Sequence, residues 1–428
     1  MANEVPREIA VQVLTRVLSD QLPLDLAFDV TTSPKSGKSI TLDTQSRAWL
    51  RDVCSGSLRW KGRLDAVIDS IALKKKPSGS LRKVLLVAAY QLILQERVAA
   101  AIVVDETVEM IKSREGDAPA KFANALLRKI AESAEAWKTL PFPKKGTPAE
   151  QASWASLPEW FWNKILHQRG LEWSEKFAEA CFARPELWIH AHTSEGAKLG
   201  EAGPVEGSYR LNSSGMISDQ EGFSEGLFFV QDISSQFLIS EISLAVKAEI
   251  GKHPTALDLC AAPGGKTLGL SWHGFQVTAT DIDSNRLKLV SQNSARLASQ
   301  IASSGGAIEV VEREKIAALP EQDLVWVDAP CSGSGIIRRH PDVRWLRQEK
   351  ELHALKLAQE GLLREAWKKT KPGGFLAYSV CSIFEDEGAG AIKRVGLSQH
   401  LQKEWLLSPH HAPHGDGFWA GLLRKPLS

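Results

Sequence analysis

Two cysteines, Cys331 and Cys381, each close an apolar run, Val325-Trp326-Val327-Asp328-Ala329-Pro330-Cys331 and Ala377-Tyr378-Ser379-Val380-Cys381. A lone buried cysteine is more often a small core hydrophobe than a reactive group. Two of them at the carboxyl ends of successive strands, with Asp328 beside one, instead suit covalent catalysis by one thiolate and proton removal by a second group. A third segment, LDLCAAPGGKT, sets Cys260, Ala261, Ala262, Pro263, Gly264, Gly265 and Lys266 between a strand and a helix. Glycines at such a turn let backbone N–H groups approach a ligand closely. The segment is not a G-x-G-x-x-G fingerprint, and Cys260 stands where a phosphate-binding P-loop requires its first glycine. In VTATDID, Asp281 falls where the next strand ends, a position from which an acid accepts hydrogen bonds from ribose hydroxyls. Its rival role is to cap the following helix, which Asp283 or Ser284 supplies equally well. Loop and acid together predict an adenosine-containing cofactor.

These residues need a scaffold that brings strand ends to one edge. After His253 the sequence alternates short apolar runs (TALDLC, QVTATD, AIEVVE, DLVWVD, GFLAYSV) with helical patterns such as SNRLKLVSQNSARLAS and LKLAQEGLLREAWKKT. That alternation predicts a doubly wound α/β domain with a parallel sheet. The first 135 residues read differently. REIAVQVLTRVLSD, TQSRAWLRDVCSGSLRWKGRLDAVIDSI, SLRKVLLVAAYQLILQ and AAAIVVDETVEMIKSR carry apolar residues at helical spacing, separated at PKSGKS, KKKPSGS and REGDAPA. The expected organisation is an all-helical domain over 1–135, a Pro/Lys-rich linker over 136–157, a small α+β module over 158–240 and the α/β domain over 241–428.

Composition sets wider limits. At 428 residues the chain exceeds the usual growth of one core. Its 43% hydrophobic and 24% charged content is that of a globular protein. The formal charge of +1 does not by itself suggest a nucleic-acid partner. Clusters such as Lys74-Lys75-Lys76 and Arg338-Arg339 count only in context, although Arg59, Lys61, Arg63 and the arginines and tryptophan of RRHPDVRW are of a kind that meets phosphates and stacked bases. No run approaches the roughly 18 apolar residues of a membrane span, and MANEVPREIAVQVL lacks a signal-peptide layout, so a cytoplasmic location is expected. Five scattered cysteines without a C-x-x-C pair support neither a disulfide framework nor a metal site.

LDLCAAPGGKT, TATDID, VDAPCSGSG with RRHPDVRW, and SVCS together resemble the signatures of the Nol/Nop/Sun family of RNA cytosine-5 methyltransferases, a likeness that runs from about Pro158 through VQDISSQ to DGFWAGLLRK. The helical part, through GSLRWKGRLDAVID, AAYQLI, VVDETVEMIK and KFANALLRKI, resembles a NusB-like RNA-binding domain. The resemblance implies a Rossmann-like class I methyltransferase domain that takes S-adenosylmethionine and methylates carbon 5 of a cytosine in RNA. Fused to a NusB-like domain, it implies 16S ribosomal RNA as substrate, with a tRNA or other RNA as the alternative, and a monomer. Under this reading Cys381 attacks carbon 6 and Cys331 is the base that releases product. Asp328 contacts the cytosine edge with Lys266 nearby, and Cys260 to Lys266, Asp281 and Asp328 line the cofactor site. Glu312 is the nearest candidate for the adenine-side acid, with Glu314 as rival, because VVEREKIAA replaces the family's Gly-Asp-Gly. Val380 replaces a usual threonine, and His190-Ala191-His192 replaces an Arg-Val-Asn type sequence.

Two other readings compete. One is a DNA cytosine-5 methyltransferase, whose nucleophile lies in a proline-cysteine segment like Pro330-Cys331; the other is a non-catalytic RNA-binding or antitermination protein on the same scaffold. The SVCS segment and the helical domain favour RNA, and the intact cysteines favour an enzyme.

Overall fold

The structure, a computed structural model, describes residues 4–32, 42–96, 98–212 and 215–427. The chain divides into two compact units, Met1–Ala183 with Ile337–Glu349 and Arg184–Ile336 with Lys350–Ser428.

The first unit is helical: α1 (Glu4–Leu18), α2 (Leu24–Thr32), α3 (Thr44–Ile71), α4 (Gly79–Leu94), α5 (Ala100–Glu115), α6 (Asp117–Glu132), α7 (Ala134–Lys138), α8 (Pro148–Ala155), α9 (Glu159–Arg169) and α10 (Leu171–Ala180). The long α3 shows why. Asp43 caps it by accepting from the Ser46 N–H at 2.6 Å, and Leu50, Val53, Cys54, Leu58, Leu64, Val67 and Ile68 form one buried stripe. That stripe meets Val13, Leu14, Leu85, Leu86 and Leu127 from the neighbouring helices. Of the anticipated breaks, REGDAPA contracts to the single residue Gly116 between α5 and α6, and PKSGKS lies outside the described residues.

Residues 136–157, expected as a linker, contain α8. Its start is fixed by a capping box between Thr147 and Glu150 with a proline in the first turn. Its end is tied to α3, where the Gly62 N–H donates to Ser156 Oγ at 2.8 Å and Arg63 Nε to the Trp154 carbonyl at 2.6 Å. An eight-residue helix carries too few turns for a periodic signal, but the side chains that tie it down are in place. With α9 and α10, the helical unit therefore runs to Ala183.

The same unit revises the expected phosphate contacts. Arg344 is fully buried, donating to the carbonyls of Arg59 (3.0 Å), Ser156 (3.1 Å) and Ile337 (2.9 Å). Trp345 Nε1 donates to the Leu58 carbonyl at 2.7 Å and Arg59 to the Arg338 carbonyl at 3.0 Å, with Arg59 and Arg338 themselves buried. Arg63 lies 4.0 Å from both the Trp154 and Phe182 ring centroids. The guanidinium groups of Arg59, Arg63 and Arg344 are internal struts that satisfy orphan carbonyls, whereas Lys74, Lys75 and Lys76 are exposed.

The second unit opens with a small antiparallel sheet of β1 (Trp188–His190), β2 (Glu201–Ala202), β3 (Ser208–Arg210) and β4 (Phe229–Val230), ordered β2-β3-β1-β4. The helix Ile233–Ile250 follows, capped by Asp232, and runs through the boundary expected at 240. A seven-stranded sheet is built from β5 (Thr255–Asp258), β6 (Gln276–Ala279), β7 (Ala307–Val310), β8 (Gln322–Asp328), β9 (Thr370–Val380), β10 (Leu401–Leu407) and β11 (Phe418–Arg424), ordered β10-β11-β9-β8-β5-β6-β7.

Alternate residues of β8 enter opposite cores. Leu324 and Trp326 pack with Leu238, Ile239 and Ile242 of the capped helix, while Val325 and Val327 pack with Leu363 and Ala366 of the helix Glu351–Lys369. The strands β5 to β9 pair in parallel as expected, but β11 is antiparallel to both β9 and β10, so the sheet is mixed. An apolar run marks a buried strand without encoding its direction. Direction follows from the connection, and β10 reaches β11 without a crossover helix.

Candidate active site

The predicted residues meet along the carboxyl ends of the parallel strands. From β5 the chain passes through Cys260 to Gly264 and enters the helix Gly265–Trp272. Gly264, with φ of 116°, takes the left-handed turn that a side chain would oppose. Asp281, just beyond β6 and buried, holds this loop: Oδ2 accepts the Ala262 N–H at 3.1 Å and Oδ1 the Asp283 N–H at 3.0 Å. The helix cap itself is Asp283, which accepts from the N–H groups of Asn285 and Arg286. Asp281 is thus a loop anchor rather than a cap. Arg286 Nη2 and Asn293 Nδ2 add bonds to the carbonyls of Ala262 (3.0 Å) and Pro263 (3.2 Å). The Cys260 thiol is pushed up chiefly by burial and then by the Asp258 charge.

Lys266 projects from the first turn of that helix. Its ammonium lies 2.6 Å from Asp328 Oδ2 and 3.2 Å from Ser235 Oγ, and 5.0 Å from the Phe418 ring centroid. Burial opposes its charge, but the Asp328 carboxylate outweighs burial and holds the lysine above its ordinary pKa. Asp328 is in turn oriented by Ser379, whose hydroxyl donates to Oδ1 at 2.8 Å and accepts from Trp326 Nε1 at 3.0 Å. Beneath them Asp258 is completely buried, its carboxyl pushed up to about 7 by burial against the opposing Thr267 hydroxyl, which donates at 2.7 Å.

Cys331 and Cys381 follow β8 and β9, and their sulfurs stand 3.2 Å apart. The Cys331 thiol is pushed well above its ordinary pKa, first by its hydrogen-bonding contact with Cys381 and then by burial. Its loop is tied to the next by the Ala329 N–H to the Ser379 carbonyl (2.9 Å) and the Gly335 N–H to the Cys381 carbonyl (3.0 Å). A Cβ on Gly335 would fall 1.9 Å from the Gly417 carbonyl oxygen, so only glycine permits this approach. Glu312 lies apart from the cysteine pair, at the carboxyl end of β7, exposed and 3.1 Å from Lys315. Glu314 is exposed as well.

Several groups of the site went unread in the sequence. Asp258 and Thr267 sit inside LDLCAAPGGKT, Phe418 inside DGFWAGLLRK, Ser235 inside VQDISSQ, and Trp326 and Ser379 inside the two cysteine segments, but their part in the site lies in contacts that their residue types do not announce. Among the described residues, no cluster of three or more His, Cys, Asp or Glu is placed to hold a metal, and no helix is long and apolar enough to cross a membrane.

Comparison with known proteins follows this division. Residues 4–132 match the NusB family and residues 245–421 match 16S rRNA methyltransferase RsmB/F. The chain is 30% identical to ribosomal RNA small subunit methyltransferase B of Pasteurella multocida (strain Pm70), covering 99% of this chain and 96% of that protein. It is 32% identical to the protein of the same description from Klebsiella pneumoniae subsp. pneumoniae, over 81% of each. Among solved structures, PH0851 superimposes with a TM-score of 0.70 at 23% identity, covering 98% of this chain and 99% of that one. A methyltransferase homologue from Pyrococcus horikoshii gives 0.51 at 22%, covering 63% of this chain and 96% of that one. The helical N-terminal part is NusB-like and the seven-stranded sheet is a Rossmann-like methyltransferase fold, as the sequence predicts.

Proposed function

The chain belongs to the 16S rRNA methyltransferase RsmB/F family, and from that premise we propose that it methylates carbon 5 of a cytosine in 16S ribosomal RNA through a covalent adduct on Cys381. The observation that carries this reading is the 3.2 Å separation of the Cys331 and Cys381 sulfurs beside the Lys266–Asp328 pair. Carbons 5 and 6 of a pyrimidine are adjacent, so a nucleophile for one and a base for the other must themselves be neighbours.

S-adenosylmethionine fits the loop from Cys260 to Gly265 and the buried acid Asp281, each oxygen of which keeps a lone pair free after accepting one backbone N–H. When bound there it supplies an electrophilic methyl group. Carbon 5 of cytosine is too weak a nucleophile unaided, and addition of the Cys381 thiolate to carbon 6 makes it electron-rich. Asp328 accepts from the exocyclic amino group, and the Lys266 ammonium donates to the charge that addition places on the ring.

Formation of the carbon–sulfur bond also consumes the charge and hydrogen bond of Cys381 that hold the Cys331 proton in place. Cys331 then gives its proton to solvent water and, as the thiolate, takes the carbon 5 proton, while the Cys381 thiolate is expelled as the double bond re-forms. The exposed lysines 74–76 of the helical unit supply cationic surface for RNA phosphates, and the cytoplasm is where ribosomal RNA is met.

The test is trapping on a small-subunit ribosomal RNA transcript containing 5-azacytosine. Cys381→Ser should abolish the RNA-linked band on a denaturing gel, while Cys331→Ala retains it. The reverse pattern would assign the nucleophile to the Pro330-Cys331 segment and overturn this mechanism.

A further inference from the structure

The mechanism above gives no part to Glu387, although its side chain is completely buried between the loops that carry the two cysteines. A buried carboxylate is costly unless donors surround it. Here the Ser332 N–H donates to Oε1 at 2.8 Å and the Ser332 hydroxyl to Oε2 at 2.5 Å. The Ser382 hydroxyl donates to the same Oε2 at 2.6 Å, and the Gln359 amide to Oε1 at 3.2 Å. That amide also reaches the Pro330 carbonyl at 3.0 Å, while the Tyr378 hydroxyl fixes the Glu387 carbonyl at 2.7 Å. Ser334 closes the network, 2.8 Å from the Ser382 hydroxyl and accepting the Ile383 N–H at 3.0 Å.

Ser332 directly follows Cys331, and Ser382 directly follows Cys381. The two thiols thus sit on loops from separate strands that share one acceptor, Oε2 of Glu387. Backbone bonds tie β8 to β9 before the cysteines and Gly335 after them. Between those ties the loops touch through Ser382, 3.2 Å from the Ser332 hydroxyl and 2.8 Å from the Ser334 hydroxyl, and both serines that follow the cysteines donate to the carboxylate. We propose that Glu387 is a positioning residue, whose carboxylate clamps the Cys331 and Cys381 loops together and sets the distance between the two thiols. The inference rests on the reading of Cys381 as nucleophile and Cys331 as base. A displacement of about 1 Å in such a pair costs on the order of a hundredfold in rate.

Full-length Glu387→Gln keeps the size of the side chain but turns one acceptor into a donor. Two measurements read its effect. Diamide takes two protons and two electrons from a neighbouring thiol pair, and the rate at which a Cys331–Cys381 disulfide forms, followed by peptide mass mapping, reports thiol proximity without RNA. Steady-state methylation of a small-subunit ribosomal RNA transcript gives kcat and KM.

The clamp predicts disulfide closure slowed by about tenfold or more and kcat lowered by about ten- to a hundredfold, with KM for RNA and for S-adenosylmethionine within about twofold. If Glu387→Gln does not fold, Ser382→Ala takes its place, with smaller losses expected in the same two measurements. Closure at the wild-type rate, or slowed closure with unchanged kcat, overturns the proposal. Because closure is read without RNA, failure of the clamp is distinguishable from failure of the cysteine mechanism, which appears as wild-type protein that forms no RNA adduct.

Discussion

Replacing Asp281 with alanine separates ligand contact from loop support. The carboxylate holds two backbone N–H groups, Ala262 at 3.1 Å and Asp283 at 3.0 Å, in a buried position. Alanine leaves both without an acceptor, at about 1–3 kcal/mol each. The loss divides between the fold and the cofactor, because loop and ligand are held by the same group. We predict that the S-adenosylmethionine dissociation constant rises about ten- to a hundredfold, equivalent to 1.4–2.8 kcal/mol. The melting transition of the second unit falls by about 2–8 °C, given roughly 2–4 °C per kcal/mol for a unit of this size. Asp281→Asn, which retains one oxygen, should show smaller losses in both. Titration calorimetry gives the first quantity and differential scanning calorimetry the second. A dissociation constant within twofold of wild type alongside a lowered transition would leave Asp281 as loop support alone. No change in either would refute the anchoring argument altogether.

Other predictions concern the base, a buried strut and acid stability. Cys331→Ala should accumulate methylated RNA covalently linked to the protein, because release loses its base and slows by about 10²- to 10⁴-fold; normal turnover with no linked species would remove Cys331 from the mechanism. Arg344→Met, which strands three carbonyls now served by one guanidinium, should weaken the helical unit by about 2–5 kcal/mol, seen as faster amide exchange in α3, and unaltered exchange would contradict its structural role. Burial holds His190 well below its ordinary pKa, His192 below it and His273 down to about 4, so the unfolded chain takes up protons near pH 6.5 that the fold refuses. Their contribution is fully present above about pH 6.5 and is lost as pH falls toward 4, by at most about 3 kcal/mol from His273, and His190→Phe should flatten that loss in urea titrations.

Sequence alone determined the elements and the chemistry-bearing segments. Apolar periodicity over three to four residues gave α1 and α3 to α5 nearly to their ends, and short apolar runs gave β5 to β9, because burial of one face or of both is written locally in residue type. The glycine loop, the strand-end acid and the two cysteines were legible for the same reason: each is a short motif at the end of a strand. What depended on distant partners was not legible. RRHPDVRW reads as a phosphate-binding stretch, yet Arg338 and Arg344 are buried, because the charge of an arginine says nothing of the carbonyls it will meet. The direction of β11, the helix Pro148–Ala155 inside a Pro/Lys-rich stretch and the four-donor burial of Glu387 were likewise decided by tertiary structure. In each case the deciding energy comes from satisfying a buried polar group or from choosing a strand neighbour, and both are pairings between residues that lie far apart in the chain.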